Sequence, residues 1–375
     1  MKKTIYMLLL ASATLASCSS DDYGWEGVPQ SSPAEQAQTA YFDNSTIQEV
    51  NPINLEEVTN SEINICRFQA PTVTDPDAST TYTVTFPKQE RGTVDKTLDL
   101  TADGFVSATG LTDVVTTYYG LVNKQRTLPA YITAIVKTSA GQAITTTSKT
   151  FNVYVTPKVP DFMEFYVVGE VNSWNDKPEG KNLYMIPTEK GIYTYTTNFV
   201  GNNGRNLKIW NGEDYGKWDN ALGSKNNNDA SESGTIVDKK AGAINCPGTG
   251  YYTFTYNFKE GTYNWKKIDN QNPTTYDVID IAGDFNSWGS TPLNMTQVAP
   301  HNWYVELSNT KDGGSLKFRA NNAWDVNWGL AGFQYDAKNH FYGVGQSNGD
   351  NIKLPSGKYD VYFNDITGEF AFLSK

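Results

Sequence analysis

One hexapeptide occurs twice in this chain, and it limits what the fold can be. Gly169-Glu170-Val171-Asn172-Ser173-Trp174 returns 114 residues later as Gly283-Asp284-Phe285-Asn286-Ser287-Trp288, each time behind a short apolar stretch. Further along, Leu207-Lys208-Ile209-Trp210 aligns with Leu316-Lys317-Phe318-Arg319, and Gly250-Tyr251-Tyr252-Thr253-Phe254 with Gly357-Lys358-Tyr359-Asp360-Val361. Gly261-Thr262-Tyr263 finds its counterpart in Gly368-Glu369-Phe370. Matches at the start, middle and end describe a domain duplication of about 100 residues per copy, too long a period for a solenoid. The copies are placed at 162–268 and 276–375, with a linker near Asp269 to Thr275.

Both copies read as β structure. Short alternating runs separated by turn residues, with 23 Tyr and 31 Gly, favour antiparallel strands, and helix signals are scarce. The stretch before the repeats has the same texture. Ile63-Asn64-Ile65-Cys66-Arg67-Phe68, Thr81 to Phe86, Tyr131 to Val136 and Phe151 to Val155 suit an immunoglobulin-like sandwich over 39–158. Pro157 and Pro160 then punctuate the chain, since two prolines so close cannot sit in a central strand. The expected fold class is all-β: an N-terminal immunoglobulin-like sandwich followed by two tandem β-sandwich modules.

The first residues carry an address. Lys2 and Lys3, the apolar run Ile5 to Leu15 and the sequence Leu15-Ala16-Ser17-Cys18 form a secretory signal, and a cysteine at the cleavage point is what bacterial lipoprotein signals add. Residues 1–18 are then signal peptide with the lipidated Cys18, and 19–38 is a flexible polar tether. Two or more acyl chains hold a protein stably on a membrane, so the body is anchored and does not span. Asp21 and Asp22 directly behind the cysteine resemble the export signal of surface lipoproteins in Gram-negative polysaccharide degraders, which favours the outer face of the outer membrane over the periplasmic one.

A formal net charge of −11 with no basic stripe argues against a nucleic-acid partner. Cys66 and Cys246 lie in different segments and read as small buried hydrophobes, without a disulfide. His301 and His340 have no cysteine nearby, which speaks against a zinc site, and no nucleophile elbow or phosphate-cradling glycine loop occurs. No cofactor is expected. A glycoside hydrolase needs two carboxylates across the scissile bond, and neither copy keeps an acid pair that the other matches.

What the second copy does supply is a sugar-like site. Sugar rings offer apolar C–H faces and a rim of hydroxyls, which call for flat aromatic rings beside polar side chains. Lys317 and Arg319 alternate on one strand and share a face. The loop Ala320-Asn321-Asn322-Ala323-Trp324-Asp325-Val326-Asn327-Trp328-Gly329 follows, where Trp324 and Trp328 are either ligand platforms or structural packing. The first copy offers Lys208 and Trp210 with Tyr215 and Trp218 in the next loop, so its guanidinium is missing and its preference should differ. Trp174 and Trp288, just past a strand end, read as buried structural residues.

The lipoprotein start, the immunoglobulin-like segment and two modules with Gly-Asp-Phe-Asn-Ser-Trp and Leu-Lys-Phe-Arg-Ala-Asn-Asn-Ala-Trp together resemble the SusE and SusF outer-membrane starch-binding lipoproteins over nearly the whole mature chain. That resemblance implies non-catalytic surface capture of polysaccharide, starch or another α-glucan, beside a TonB-dependent importer and its companion glycan-binding lipoprotein. It also implies an aromatic arc with Lys and Arg, falling on Lys317, Arg319, Trp324 and Trp328, and on Lys208, Trp210, Tyr215 and Trp218. A non-starch glycan or a purely protein-binding scaffold are the alternatives. Replacing Cys18 with Ala should move the protein from the membrane fraction to the soluble fraction, checked by fractionation and immunoblotting, because the lipid is the anchor that the sequence provides.

Overall fold

The computed structural model describes residues 38–375 apart from 90, 121, 201–204 and 239; the signal, Cys18 and nearly all of the tether lie outside the described residues. Almost every element is a strand, as expected of an all-β chain. In the N-terminal segment, Ile53–Asn54, Phe151–Thr156, Arg126–Lys137, Ser79–Phe86 and Lys96–Leu100 pair side by side in that order. The long strand Arg126–Lys137 buries Leu128, Ala130, Ile132, Ala134 and Val136 on one face and turns the intervening residues outward, the period of two that a half-covered sheet imposes.

One element escaped the sequence reading. Ala108–Tyr119 is an α-helix, capped at its start by the Ser107 hydroxyl, which accepts from the Gly110 amide at 3.3 Å. It ends at Gly120, whose φ of +75° belongs to the left-handed region that glycine adopts without strain. Threonine and valine fill much of this helix, so its intrinsic propensity is poor. Leu111, Val114, Val115 and Tyr118 recur on one face and are buried in the core of the segment, which is what holds it helical.

The two repeats share a register. Phe165–Gly169 pairs antiparallel with Asn206–Asn211 so that Gly169 faces Leu207, Val168 faces Lys208 and Tyr166 faces Trp210. Ile279–Gly283 pairs with Gly314–Ala320 so that Gly283 faces Leu316, Ala282 faces Lys317 and Asp280 faces Arg319. Val167, Leu207 and Ile209 point into the first core, and Ile281, Leu316 and Phe318 into the second, where Phe318 stacks on Phe363 at 4.2 Å. By alternation, Lys208, Trp210, Lys317 and Arg319 all point away from their cores. The opposing layers are built on Ile192–Phe199, Gly250–Asn257 and Thr262–Lys267 in the first repeat, and on Asn302–Asn309, Gly357–Asn364 and Glu369–Ser374 in the second. In the second repeat Asn327–Ala337 bonds to Gly314–Ala320 at one end and to His340–Ser347 along its length, joining both layers into one continuous sheet.

The repeats are joined by a substantial contact. Tyr166, Tyr184 and Ile186 of the first pack with Ala337, Tyr342, Tyr362 and Leu373 of the second. Beside them the amides of Asn302 and Asn364 both donate to the Thr196 carbonyl at 2.8 Å, and the Thr197 hydroxyl donates to the Pro300 carbonyl at 3.0 Å. His301 meets Asp365 at 2.7 Å and the Tyr251 hydroxyl at 3.2 Å. Cys66 and Cys246 are buried free thiols, and loss of solvation pushes them up to about 12 and about 11. Tyr362 is buried against Tyr184 and Tyr304, so Tyr362→Ala should cost roughly 3–5 kcal/mol in a chemical-denaturation measurement on the full chain.

Candidate glycan-binding sites

The Asn-Ser-Trp motif is a rigid turn, and each of its residues has a task. The Asn172 side chain accepts from the Gly169 amide at 3.0 Å, and the Trp174 amide donates back to the Gly169 carbonyl at 2.7 Å. In the second repeat the same bonds run from Gly283 to Asn286 at 2.9 Å and from Trp288 to the Gly283 carbonyl at 2.8 Å. Asn286 also donates to the carbonyls of Ile281 and Thr291. The serine and tryptophan are left-handed in both copies, with φ of 55° and 58° at Ser173 and Trp174 and of 51° and 56° at Ser287 and Trp288. Such residues cost of order 1 kcal/mol each, and the same pair at matching positions shows that both copies hold one turn conformation.

That turn sets the direction of the ring. Trp174 lies 6.1 Å from Trp218 with 46° between planes, and Trp288 lies 6.0 Å from Trp324 with 41° between planes. The expectation for Trp174 and Trp288 is thereby corrected: both are half-buried members of an aromatic pair that reaches the surface. Trp218 and Trp324 are its exposed members, at 40% and 43%. The indole N–H of Trp218 donates to Asp176 at 3.0 Å, and that of Trp288 to Asp284 at 3.0 Å. The Trp218 bond holds the Asp176 carboxyl below its usual range, while the Ser315 amide chiefly does so for Asp284. With their N–H groups engaged, these two rings have their faces to offer.

Beneath each pair lies a pedestal, and here the two copies part. Arg319 is 3% exposed; its Nη2 donates to Asp280 at 2.7 Å and its Nε at 3.3 Å, and its guanidinium lies 4.6 Å from the centre of the Trp324 ring. Burial pushes the Asp280 carboxyl up while Arg319 pulls it back. Trp210 occupies the same register position, fully buried, with its N–H donating to the Lys217 carbonyl at 3.1 Å and its ring 4.5 Å from Trp218. Opposite them stand Asp280 and Tyr166: Asp280 pairs with Arg319, whereas the Tyr166 ring meets Tyr184 and Tyr215 and the Trp210 ring meets Tyr215 and Trp218. Arg319 and Trp210 therefore hold the loop tryptophan from below, a correction to the expectation that they face a ligand.

The remaining positions sort by packing. Trp328 stands opposite Phe318, packs on the second core and meets Tyr276 and Phe363 edge-on at 5.6 and 5.3 Å, so of the two loop tryptophans only Trp324 keeps a platform geometry. Tyr215 is half-buried, donates to the Asn175 carbonyl at 3.0 Å and lies 4.7 Å from Trp210, a strut beneath the pair. Lys208 reaches over Trp218 at 5.9 Å and is partly desolvated, which lowers its ammonium's affinity for its proton. Lys317 is half-buried on the face shared with Arg319. The asparagines that follow make the turn itself: Asn321 and Asn322 are left-handed, and Asn327 donates to the Trp324 carbonyl at 3.0 Å. Among the described residues no group of His, Cys, Asp and Glu is placed to hold a metal, and no helix is long and apolar enough to cross a membrane.

The fold is a β-rich N-terminal segment followed by two β modules, each with a tryptophan pair on a fixed turn, and the family models place it among outer-membrane carbohydrate-binding proteins. Residues 18–157 match the family model described as outer membrane protein SusF, N-terminal domain, and residues 160–267 match SusF, first starch specific CBM. The chain belongs to the SusF family. The crystal structure of SusF from Bacteroides thetaiotaomicron is similar over 90% of this chain and 76% of that one, at 18% identity and a TM-score of 0.28. No curated protein matches by sequence.

The Asp280–Arg319 pair is buried, so breaking it leaves a stranded carboxylate. Arg319→Met should cost roughly 3–5 kcal/mol in denaturant unfolding, and adding Asp280→Leu should recover most of that loss.

Proposed function

We propose that the tryptophan pairs Trp174 with Trp218 and Trp288 with Trp324 are the platforms on which this cell-surface, outer-membrane starch-binding protein captures α-glucan. The observation that carries the reading is the conserved geometry of the pairs on unlike pedestals. Centroid distance and tilt agree closely between the copies although Arg319 supports one and Trp210 the other. The shared turn directs Trp174 and Trp288 alike, and Trp218 and Trp324 meet them at the same distance and tilt although what lies beneath differs. Two inclined rings present a shallow angle to successive sugars of a curved chain, and Lys208 or Lys317 supplies donors to hydroxyls beside them.

No hydrolysis is expected at these sites. The family's modules are carbohydrate-binding, and three acids beside the pairs are engaged: Asp176 and Asp284 with indole N–H groups, Asp280 with Arg319. A TonB-dependent importer and a companion binding lipoprotein complete the proposed uptake system, with segment boundaries at 39–158, 162–268 and 276–375. Native gels containing amylopectin, pullulan, dextran, xylan or levan identify the glycan by retardation, and reducing-sugar release tests for catalysis.

Trp324→Ala and Trp288→Ala should each weaken glycan binding by the second repeat by roughly 1–3 kcal/mol, read by calorimetry. Undiminished binding removes the pair from the site, and a binding loss that tracks a collapse in melting temperature assigns the rings to the core.

A further inference from the structure

The first platform borders a cleft whose far wall belongs to another part of the chain. A cavity of about 660 Å3 opens beside Trp218, with Lys208 and Asn220 on the repeat's side and Arg91, from the N-terminal segment, across from them. We infer that Arg91 is a glycan-contacting residue of the first site, so that this site is composite and needs the N-terminal segment for its full affinity. The inference rests on the tryptophan-pair reading above.

Arg91 is held in place from three sides. Its amide donates to the Tyr118 carbonyl at 3.1 Å, which ties it to the last turn of the helix Ala108–Tyr119. Its guanidinium lies against Gly120, where a Cβ would come within 2.9 Å of Nη1, so the helix stop leaves room for it that a side chain would fill. Its Nη2 is ion-paired with Asp238 of the first repeat. Further contacts fasten the two parts elsewhere: Lys190 to Glu56 at 2.7 Å, and the Val159 amide to Glu56 at 2.9 Å.

The chemistry fits the neighbouring ring. A hexose stacked beside Trp218 turns its hydroxyl rim sideways, and a planar fork of N–H donors can bridge two adjacent hydroxyls where a point charge cannot. The side chain of Arg91 is about one third exposed beside the ring, with its guanidinium oriented by Asp238. The cleft thus brings a guanidinium to the rim of the first platform from outside the repeat.

The test uses the full chain with Trp288→Ala and Trp324→Ala silencing the second platform, and maltoheptaose as the calorimetric probe. Arg91→Ala and Arg91→Lys should each weaken binding roughly tenfold, the lysine keeping the charge and the bridge to Asp238 while losing the planar fork. Asp238→Asn, which opens the ion pair but leaves the guanidinium, should stay within about twofold of the parent. Parent-like affinity in Arg91→Lys overturns the inference, as does an Asp238→Asn loss equal to that of Arg91→Ala, which would make the bridge a structural clamp. Trp218→Ala in the same parent separates the two readings: unchanged affinity there removes the platform itself, whereas lost affinity with an indifferent Arg91 removes only the composite wall.

Discussion

Everything at the two surfaces depends on a backbone approach that leaves no space for a side chain. At Gly169 a Cβ would sit 2.2 Å from the Asn206 carbonyl oxygen, and at Gly283 one would sit 2.5 Å from that of Ser315. Both glycines are extended, so what they provide is closeness and not an unusual dihedral angle. Closeness fixes the register of Gly169 on Leu207 and of Gly283 on Leu316, which sends the pedestal residues outward. The same glycines begin the turn, supplying the amide that the motif asparagine receives and the carbonyl that the tryptophan amide meets. One steric fact therefore places ring, support and core together.

The pedestal shows how such a site tolerates change. Asp280 with Arg319 is a buried ion pair, whose attraction has to offset the desolvation of two charges. In the first repeat Trp210 does the supporting work by ring contact with Tyr215 and Trp218, while Tyr166, opposite it on the neighbouring strand, meets Tyr215 and joins the aromatic contact between repeats. Both members differ together between the copies, as expected where one partner alone would strand a charge.

Much of this was legible in the chain. The duplication, the β texture, the correspondence of Lys208 with Lys317 and the exposure of Trp218 and Trp324 follow from spacing and from loop composition. Trp174 and Trp288 were misplaced because a tryptophan behind Asn-Ser reads as a strand-end core residue, and only the left-handed turn reveals where the ring goes. Trp328 looked like its neighbour Trp324, yet its strand had already begun, and alternation turned it inward opposite Phe318. Arg319 read as a donor because strand alternation tells which face a residue occupies and not what covers that face. The helix Ala108–Tyr119 was invisible for a related reason: its β-branched residues favour strands locally, and burial on the sheet decides otherwise.

The contact between the repeats has a geometric consequence. Asn302 and Asn364 converge on one carbonyl, and the tyrosine cluster fills the space beside them, so the repeats meet through directional bonds and interlocked rings. Two platforms on a loose linker would accept any polymer and lose entropy in closing on it. Joined in this way, neither repeat can turn against its neighbour without breaking buried hydrogen bonds and parting the tyrosines, so the spacing and direction of one ring pair are set by those of the other.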